Sequence, residues 1–220
     1  MNKTEILQII HSIGLVPVLR ASSASEAITI ADAILAGGVK VLEVTMTVPA
    51  AIQVIEQLAD HHGEKLLIGA GTVLDAETAR SCILAGAQFV VSPALDLRTI
   101  ELCRRYSVPI MPGALTPTEI VTAWQAGADV VKVFPCSALG GAKYLKALQG
   151  PLPQIQLIPT GGVSLSTAAE FLAAGAFALG VGGDLVDAKA AAGGRTHVIT
   201  DNARKYIELV QKSRNPEAHC

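Results

Sequence analysis

The sequence predicts an α/β protein built as a (β/α)8 TIM barrel with one extra helix at its N-terminus. Short runs of aliphatic and β-branched residues alternate with stretches of helical periodicity along all 220 residues, as βαβ units do. Aromatic residues make up only 4% of the chain, so small aliphatic side chains must fill the core, as they do around buried parallel strands. A helix–glycine turn–strand motif also recurs at every second unit.

The apolar runs predict eight strands, and helical spacing predicts the helices between them. The predicted strands cover 15–20, 41–46, 66–70, 89–92, 109–111, 130–134, 156–159 and 178–182. The predicted helices lie near 23–36, 49–60, 75–85, 96–106, 116–126, 140–148, 164–174 and 200–213, with the extra helix at 2–12. Asp75, Thr116 and Ser164 stand where side chains that cap helix N-termini are expected.

The recurring motif favours a closed barrel over an open sheet. It appears as LAGGVKVLEV, LAGAQFVVSP, QAGADVVKVFP and LAAGAFALGVGG, beginning at residues 35, 84, 125 and 172. These segments precede predicted strands two, four, six and eight, and a barrel core draws its layers of side chains from alternate strands. In each segment a glycine is expected to end the helix in the left-handed conformation.

Composition limits the classes of partner. We expect one domain over 1–220, with the last few residues disordered. A net charge of -2 offers no basic surface for nucleic acid, and the apolar run 171–183 is too short to span a membrane. The N-terminal segment lacks the unbroken apolar stretch of a signal peptide. These features predict a cytoplasmic protein that binds small molecules and neither nucleic acid nor membranes.

The cysteines and histidines show no metal-binding motif. Cys82, Cys103, Cys136 and Cys220 form no CxxC pair and are interpreted as reduced thiols, mostly buried. His61 and His62 fall in the polar segment HHGEK before a strand and are expected to be solvated loop residues. No metal site and no cofactor are therefore predicted.

Two charged residues lie inside strands that should be fully buried. Lys132 stands in VVKVF and Glu43 in VLEVT. Because helices cover the outside of such strands, both charges must point into the barrel, where burial is costly and shifts pKa values. A lysine in a dry barrel mouth can act as an amine nucleophile. Placement alone leaves a purely structural Lys–Glu ion pair equally open.

Glycine-rich turns follow predicted strands seven and eight. They are PTGGVS at 159–164 and GVGGD at 180–184. Backbone N–H groups of such turns approach anions closely, and in (β/α)8 barrels these two loops commonly bind phosphate. A phosphate site is predicted there.

The sequence resembles the family of 2-keto-3-deoxy-6-phosphogluconate (KDPG) aldolases, also described as 4-hydroxy-2-oxoglutarate (KHG) aldolases. The resemblance extends from about Gly14 to the final helix. The matching segments are VPVLRA, GGVKVLEVTMTVP, IGAGTV, VSPALD, MPGALTPTE, VKVFPCSALGG, PTGGV and GVGGDLV. The order of LEVT, GAGTV, TPTE, K-x-FP and PTGG makes the resemblance highly specific.

The resemblance implies a role for individual residues. Lys132 matches the Schiff-base lysine that captures the C2 carbonyl of pyruvate, and Glu43 matches the residue that moves protons. Further substrate-binding positions are implied, and these are Thr72 for the carboxylate, Phe134 beside the substrate, Thr160 near the hydroxyl groups of the sugar acid, and Gly161, Gly162 and Gly183 around the phosphate. The resemblance also implies a class I aldolase that needs no metal and forms a homotrimer.

Two positions depart from the family pattern. Many members carry an arginine where this chain has Thr47, and another subgroup has one at the end of the first strand, as Arg20 is here. We expect Arg20 to hold the pyruvate carboxylate; the alternative is a rim ion pair with a helix carboxylate such as Glu26. Members commonly have a serine at the position of Gly183, and Asp184 follows it here. Two other functions stay open, a phosphosugar isomerase or epimerase and a non-catalytic phosphate-binding barrel.

Overall fold

The computed structural model describes residues 1–214, in which ten α-helices and nine β-strands alternate. The strands are β1 (Leu15–Leu19), β2 (Val41–Thr45), β3 (Leu67–Gly71), β4 (Phe89–Val91), β5 (Ile110–Met111), β6 (Gly113–Ala114), β7 (Val131–Val133), β8 (Leu157–Pro159) and β9 (Leu179–Val181). The helices are α1 (Lys3–Ile13), α2 (Ala24–Ala36), α3 (Ala51–His62), α4 (Ala76–Leu84), α5 (Leu97–Arg105), α6 (Pro117–Ala126), α7 (Ala142–Gln149), α8 (Ala168–Ala173), α9 (Ala188–Ala192) and α10 (Thr196–Arg214). The disorder expected of the last few residues lies outside the described residues.

The strands form an α/β fold with a curled, all-parallel sheet. Six strands pair in the order β5-β4-β3-β2-β1-β9, and three pair in the order β6-β7-β8. Pro112 separates β5 from β6 because proline has no N–H to donate to the ladder, yet its carbonyl still accepts from the Lys132 N–H at 2.9 Å. On the other side, a parallel bridge joins Thr160 to Gly180 of β9.

Alternation along the strands separates two apolar clusters. Outward-facing residues such as Val44 and Val131 pack with the helices in the larger cluster. The smaller, inner cluster takes side chains from strands of both sheets, and Ile6 and Ile10 of α1 pack into it. Several of its strand residues, such as Val16 and Val41, lie at or near the N-terminal ends of strands. The predicted extra helix therefore covers the end of the sheet opposite the loops that follow the strands.

Local signals account for most helix ends. The Asp75 and Thr116 side chains accept backbone N–H bonds at the starts of α4 and α6, which confirms both predicted caps. Ser164 does not cap α8, because that helix begins at Ala168; its carbonyl accepts from Ala168 N at 2.9 Å within the preceding turn. The recurring glycines are left-handed as predicted, with φ between 91° and 101° at Gly38, Gly86, Gly127 and Gly175. Helix α9 was not predicted.

Two expectations about side chains have different outcomes. Cys82, Cys103 and Cys136 are free and buried, as predicted, whereas Cys220 lies outside the described residues. The interpretation of His61 and His62 as loop residues is wrong, because both belong to the last turn of α3 and His62 is only 9% exposed. Among residues 1–214, none of the helices combines the length and the hydropathy that a membrane span requires.

Candidate active site

Lys132 and Glu43 lie on the inner face of facing strands. Val130 belongs to the inner cluster and Val131 to the outer one, so Lys132, two residues after Val130, points inward because side chains alternate along a strand. The same alternation from Val41 turns Glu43 inward on β2. The two strands belong to different sheets, so the two side chains meet across the interior.

Lys132 and Glu43 form a buried ion pair in which one carboxylate oxygen is still able to accept a hydrogen bond. Lys132 Nζ lies 3.8 Å from Glu43 Oε1, and the side chains are 6% and 3% exposed. Glu43 Oε1 has no hydrogen-bond partner within residues 1–214. Lys132 Nζ also lies 5.4 Å from the centroid of the Phe134 ring. The amine is therefore held between a carboxylate and an aromatic face, and the carboxylate can still accept another hydrogen bond.

Burial sets the protonation behaviour of Glu43. Desolvation raises its pKa above the ordinary value, and the charges of Lys132 and Arg20 oppose that shift without cancelling it. A raised pKa favours the neutral carboxylic acid at higher pH than for a solvated glutamate. Glu43 therefore takes up a proton more readily than a solvated glutamate does, which suits a residue that must act as a general acid as well as a base.

Two glycines of β3 make room for inward-facing side chains, one for Glu43 and one for Phe89. A Cβ atom on Gly71 would lie 2.0 Å from Glu43 Oε1, and one on Gly69 would lie 2.2 Å from the Phe89 ring. Both glycines share one face of β3, because they are two residues apart. The predicted strand 66–70 included Gly69 but ended before Gly71, and no function was predicted for either glycine.

A cavity of about 490 Å³ opens beside this pair. Six of the predicted substrate-binding residues line it, namely Arg20, Phe134, Thr160, Gly161, Gly162 and Gly183. Lys132, Glu43 and Thr72 are outside its lining, although Lys132 adjoins it through Phe134. The predicted pyruvate end and the predicted phosphate end are thus neighbouring parts of one region.

Arg20 reaches the cavity as a cation without a carboxylate partner among the described residues. It follows Val16 and Val18 at two-residue intervals, which places it on the inner face at the end of β1. The alternative pair with Glu26 is not formed, because the Glu26 carboxylate accepts from the N–H and the hydroxyl of Ser22, each at 2.6 Å. Arg20 remains available for an anion in the cavity.

The loops after β8 and β9 form the rest of the wall. Gly161 and Gly162 have φ of 89° and 77°, a conformation that other residues rarely adopt. A Cβ on Gly180 would lie 2.1 Å from Thr160 Oγ1, so Gly180 makes room for that threonine. A Cβ on Gly183 would meet nothing within 4 Å, so this position faces open space.

Thr72 adopts an unusual backbone conformation directly after β3. Its φ is 57°, which is costly for a β-branched residue and typical of functional positions. Thr47, the residue at the alternative arginine position, is exposed, and its hydroxyl is 2.7 Å from that of Thr45, which donates to the Leu19 carbonyl. Thr47 is therefore bonded to Thr45 and is linked to the end of β1 only through it.

Several cavity residues were missed by the sequence analysis. Val18, Val186 and Ala188 were not identified at all, whereas Val163, Gly180, Gly182 and Asp184 lie within the two predicted phosphate-binding turns but were given no individual role. Two-residue spacing from Arg20 could have identified Val18, and the GVGG turn could have identified Gly182. Val186 lies between β9 and α9, and Ala188 is the first residue of α9; the path of this segment depends on contacts with distant helices. No local pattern identifies them.

Comparisons with known proteins agree with this geometry. The family described as "KDPG and KHG aldolase" matches residues 6–201. A KHG/KDPG aldolase of Escherichia coli is 36% identical over 207 residues, covering 94% of this chain and 96% of its own. The structure of a Legionella pneumophila KDPG aldolase, with pyruvate captured as a covalent carbinolamine intermediate, is 30% identical, with a TM-score of 0.85 and coverage of 92% and 98%.

A third similar structure is a chain of a cube-shaped protein cage designed by fusing symmetric oligomeric domains. It is 31% identical, with a TM-score of 0.85, and the match covers 93% of this chain and 74% of that one. Sequence and structure comparisons thus point to one family along nearly the whole chain. The chain belongs to the KDPG and KHG aldolase family.

Proposed function

We propose that the protein is a class I aldolase that cleaves 2-dehydro-3-deoxy-6-phosphogluconate to pyruvate and D-glyceraldehyde 3-phosphate. 4-Hydroxy-2-oxoglutarate, cleaved to pyruvate and glyoxylate, is the second substrate to test. The observation that carries the proposal is the buried pair of Lys132 and Glu43, 3.8 Å apart on facing strands. The names of the similar proteins supply the substrate class.

The chemistry follows from an amine beside a proton carrier. Lys132 adds to the C2 carbonyl, and the carbinolamine loses water to give a protonated imine. The imine accepts the electron pair of the C3–C4 bond as the C4 hydroxyl loses its proton, so an aldehyde leaves and an enamine remains. Protonation at C3 and hydrolysis then release pyruvate and the free amine. Glu43, alone or through water, moves these protons.

The binding roles are those that the family resemblance implies, and, for all of these residues except Thr72, placement in the cavity lining supports them. Arg20 and Thr72 hold the carboxylate of the substrate, and Phe134 packs beside its carbon chain. Thr160 contacts the hydroxyl-bearing part, while the backbone at Gly161, Gly162 and Gly183 binds the phosphate. The placement of Arg20 in the cavity lining without a carboxylate partner among residues 1–214 supports its role as an anion ligand.

We also propose the complete architecture of the predicted barrel. The Thr160–Gly180 bridge and the single residue between β5 and β6 support closure of the two sheets into one (β/α)8 barrel and one domain over 1–220. The resemblance and the symmetric oligomer from which the similar cage was designed support a homotrimer, which sedimentation equilibrium would test.

The free thiols support a cytoplasmic location, where thiols stay reduced.

Covalent trapping tests the function. Borohydride reduction in the presence of pyruvate should add one pyruvyl group, which peptide mass spectrometry should locate at Lys132. Lys132→Arg should abolish the adduct, whereas Lys146→Arg on the surface of α7 should keep it. An adduct at Lys143 or Lys146, or none, would contradict the mechanism. An isomerase or epimerase, or a non-catalytic phosphate-binding barrel, would form no imine.

A further inference from the structure

A cluster of potential metal ligands lies on the outer helices, apart from the active site. Asp32 of α2 and His61 and His62 at the end of α3 each offer one ligand atom, and these three atoms lie within 4.8 Å of one another. Asp32 is 29 positions before His61 in the sequence, so no spacing motif revealed the cluster. Packing of α2 against α3 creates it.

His62 is the unusual member of this cluster. Its side chain is only 8% exposed, and its Nε2 lies 3.1 Å from Asp32 Oδ1. Despite that distance, Nε2 forms no hydrogen bond with suitable geometry to any described residue. A buried imidazole nitrogen without a partner is costly, and here it is aimed at the space that it shares with Asp32.

The separation of the two ligand atoms is compatible with their joint binding of a transition metal. Zinc binds imidazole nitrogen and carboxylate oxygen at about 2.0–2.2 Å, so two such ligands at a near-tetrahedral angle lie about 3.3 Å apart. The observed 3.1 Å between His62 Nε2 and Asp32 Oδ1 is close to that separation. His61 is exposed, so rotation of its side chain can bring it to the same ion.

The surroundings favour a cation as well. A surface cleft of about 640 Å³ is lined by Ile28 and Asp32 of α2 and by Gln57, Leu58, Asp60 and His61 of α3. Asp60 adds a second carboxylate to this cleft. The cluster also stands at the C-terminal end of α3, where the unpaired carbonyl groups carry partial negative charge.

We propose that Asp32, His61 and His62 bind a divalent transition ion of the Zn²⁺ type, with water completing its coordination. Two imidazoles and one carboxylate are ligands that suit zinc and its neighbours rather than Mg²⁺ or Ca²⁺. The site joins the end of α3 to α2 on the side of the molecule where α3 leads into β3, away from the loops that follow the strands. The ion therefore acts on stability rather than on catalysis.

The test compares Zn²⁺ binding by the full chain and by matched variants. After dialysis against a chelator, competition with a colorimetric indicator should show one Zn²⁺ per chain for the wild type. His61→Asn, His62→Asn and Asp32→Asn should each weaken binding at least about 10-fold. The control is His197→Asn, which removes an exposed histidine of α10 and should bind as the wild type does.

Thermal unfolding and activity complete the test. Zn²⁺ should raise the Tm of the wild type and of His197→Asn, and should leave that of His61→Asn and Asp32→Asn unchanged. Pyruvate release should be the same for all four proteins, with or without EDTA. Unweakened binding in His61→Asn and Asp32→Asn, or binding abolished by Cys220→Ser, would overturn the proposal. Absence of stoichiometric binding by the wild type would do the same.

Discussion

The proposed aldol cleavage depends on the carboxylate of Glu43, which is buried in the interior of the protein. Glu43 lies inside β2, and burial raises its pKa, while Lys132 and Arg20 limit the rise. Its Oε1 has no hydrogen-bond partner among the described residues. This carboxyl group is therefore free to engage the substrate or a water molecule, and its removal should affect reactivity more than binding.

Glu43→Gln should slow both cleavage and the exchange of pyruvate methyl protons in D₂O by about 10²–10⁴-fold. Glutamine preserves the size of the side chain but cannot carry a proton between substrate atoms. NMR of the pyruvate methyl signal measures exchange, and coupled lactate dehydrogenase measures cleavage. The exposed Glu119→Gln serves as a control outside the cavity. Unchanged exchange would reduce Glu43 to an ion-pair partner of Lys132.

Arg20→Ala should lower kcat/KM about 10- to 100-fold, because hydrogen bonds to charged groups contribute about 1.5–3 kcal/mol. In the condensation direction the KM for pyruvate should rise, with the KM for the aldehyde little changed. Arg20→Lys should recover only part of the loss, since an ammonium cannot bind a carboxylate with two parallel bonds.

The pH–rate profile of Arg20→Ala gives a second test. Because the charge of Arg20 lowers the pKa of Glu43, its removal should move the titration of Glu43 in the pH–rate profile to higher pH. A rise in the KM for glyceraldehyde 3-phosphate alone would assign Arg20 to the phosphate instead. Glu26→Gln is the matched control, since Glu26 bonds to Ser22 rather than to Arg20.

Residues of the site were predictable wherever alternation along a strand decided their direction. Lys132 and Glu43 required only the strand assignment and the rule that a charge in a buried strand points inward, whereas Phe134 and Thr160 were implied by the family resemblance. Cavity residues after β9 depend on contacts with α8 and α10, which sequence periodicity does not describe. The histidines of α3 were misinterpreted because the polar residues around them resemble a loop, and the burial of His62 comes from α2.

At the scale of elements, the loop after β9 is held by contacts that are distant in sequence. The fully buried Tyr206 of α10 donates to Asp184 Oδ2 at 2.5 Å, and the Leu165 N–H donates to the same oxygen at 3.1 Å. Asp184 thereby fixes the segment that follows Gly182 and Gly183. Its carboxylate is thus bonded to α10 and to the turn that precedes α8.

Tyr206→Phe should lower the free energy of unfolding by about 1.5 kcal/mol, the low end for a bond to a charged group, because Asp184 is exposed. Urea denaturation measures the loss. The KM for the phosphorylated substrate should also rise, since the loop bearing Gly183 is less well held. Tyr106→Phe, at an exposed tyrosine that accepts a hydrogen bond from Arg80, should change stability by less than about 0.5 kcal/mol. Equal stability of the two variants would contradict this role of Asp184.

Most strands and helices of the fold could be predicted from the sequence, and the exceptions have local causes. Strands one to four, six, seven and eight were located because long apolar runs interrupt polar helices. Strand five was predicted as 109–111, but Pro112 divides it and pairing resumes at Gly113–Ala114. Helix α9 has only five residues, too few for a helical period to be visible. Ser164 has the side chain of a cap, but the helix starts four residues later.

At the scale of the whole molecule, the larger apolar cluster keeps the described thiols away from water. Burial is the main cause that raises the pKa of Cys82 and Cys136 to about 11 and that of Cys103 to about 12. Since the thiolate is the reactive form, these cysteines should be nearly inert in the folded protein. Cys136 is buried near the active site, so the same inertness protects the region around Lys132.

A thiol reagent should therefore label Cys82, Cys103 and Cys136 at pH 8 only when the protein unfolds. With pKa values near 11, only roughly one thiol in a thousand is ionised at that pH. The Cys220→Ser variant removes the remaining thiol, so native labelling by Ellman's reagent should fall to almost none. Labelling in denaturant should give three thiols per chain. Rapid native labelling of this variant would show that the larger cluster opens on the time scale of the assay.

Gly71 has a consequence for how the sequence can change over generations. The position beside Glu43 accepts no side chain while the carboxylate is present, because an added Cβ would lie 2.0 Å from Oε1. Once a descendant loses Glu43, and with it the proton carrier, the restriction on position 71 disappears and alanine or serine can drift in. Such a substitution would then block the return of glutamate. A substitution at position 71 would therefore make the loss of activity in that lineage difficult to reverse.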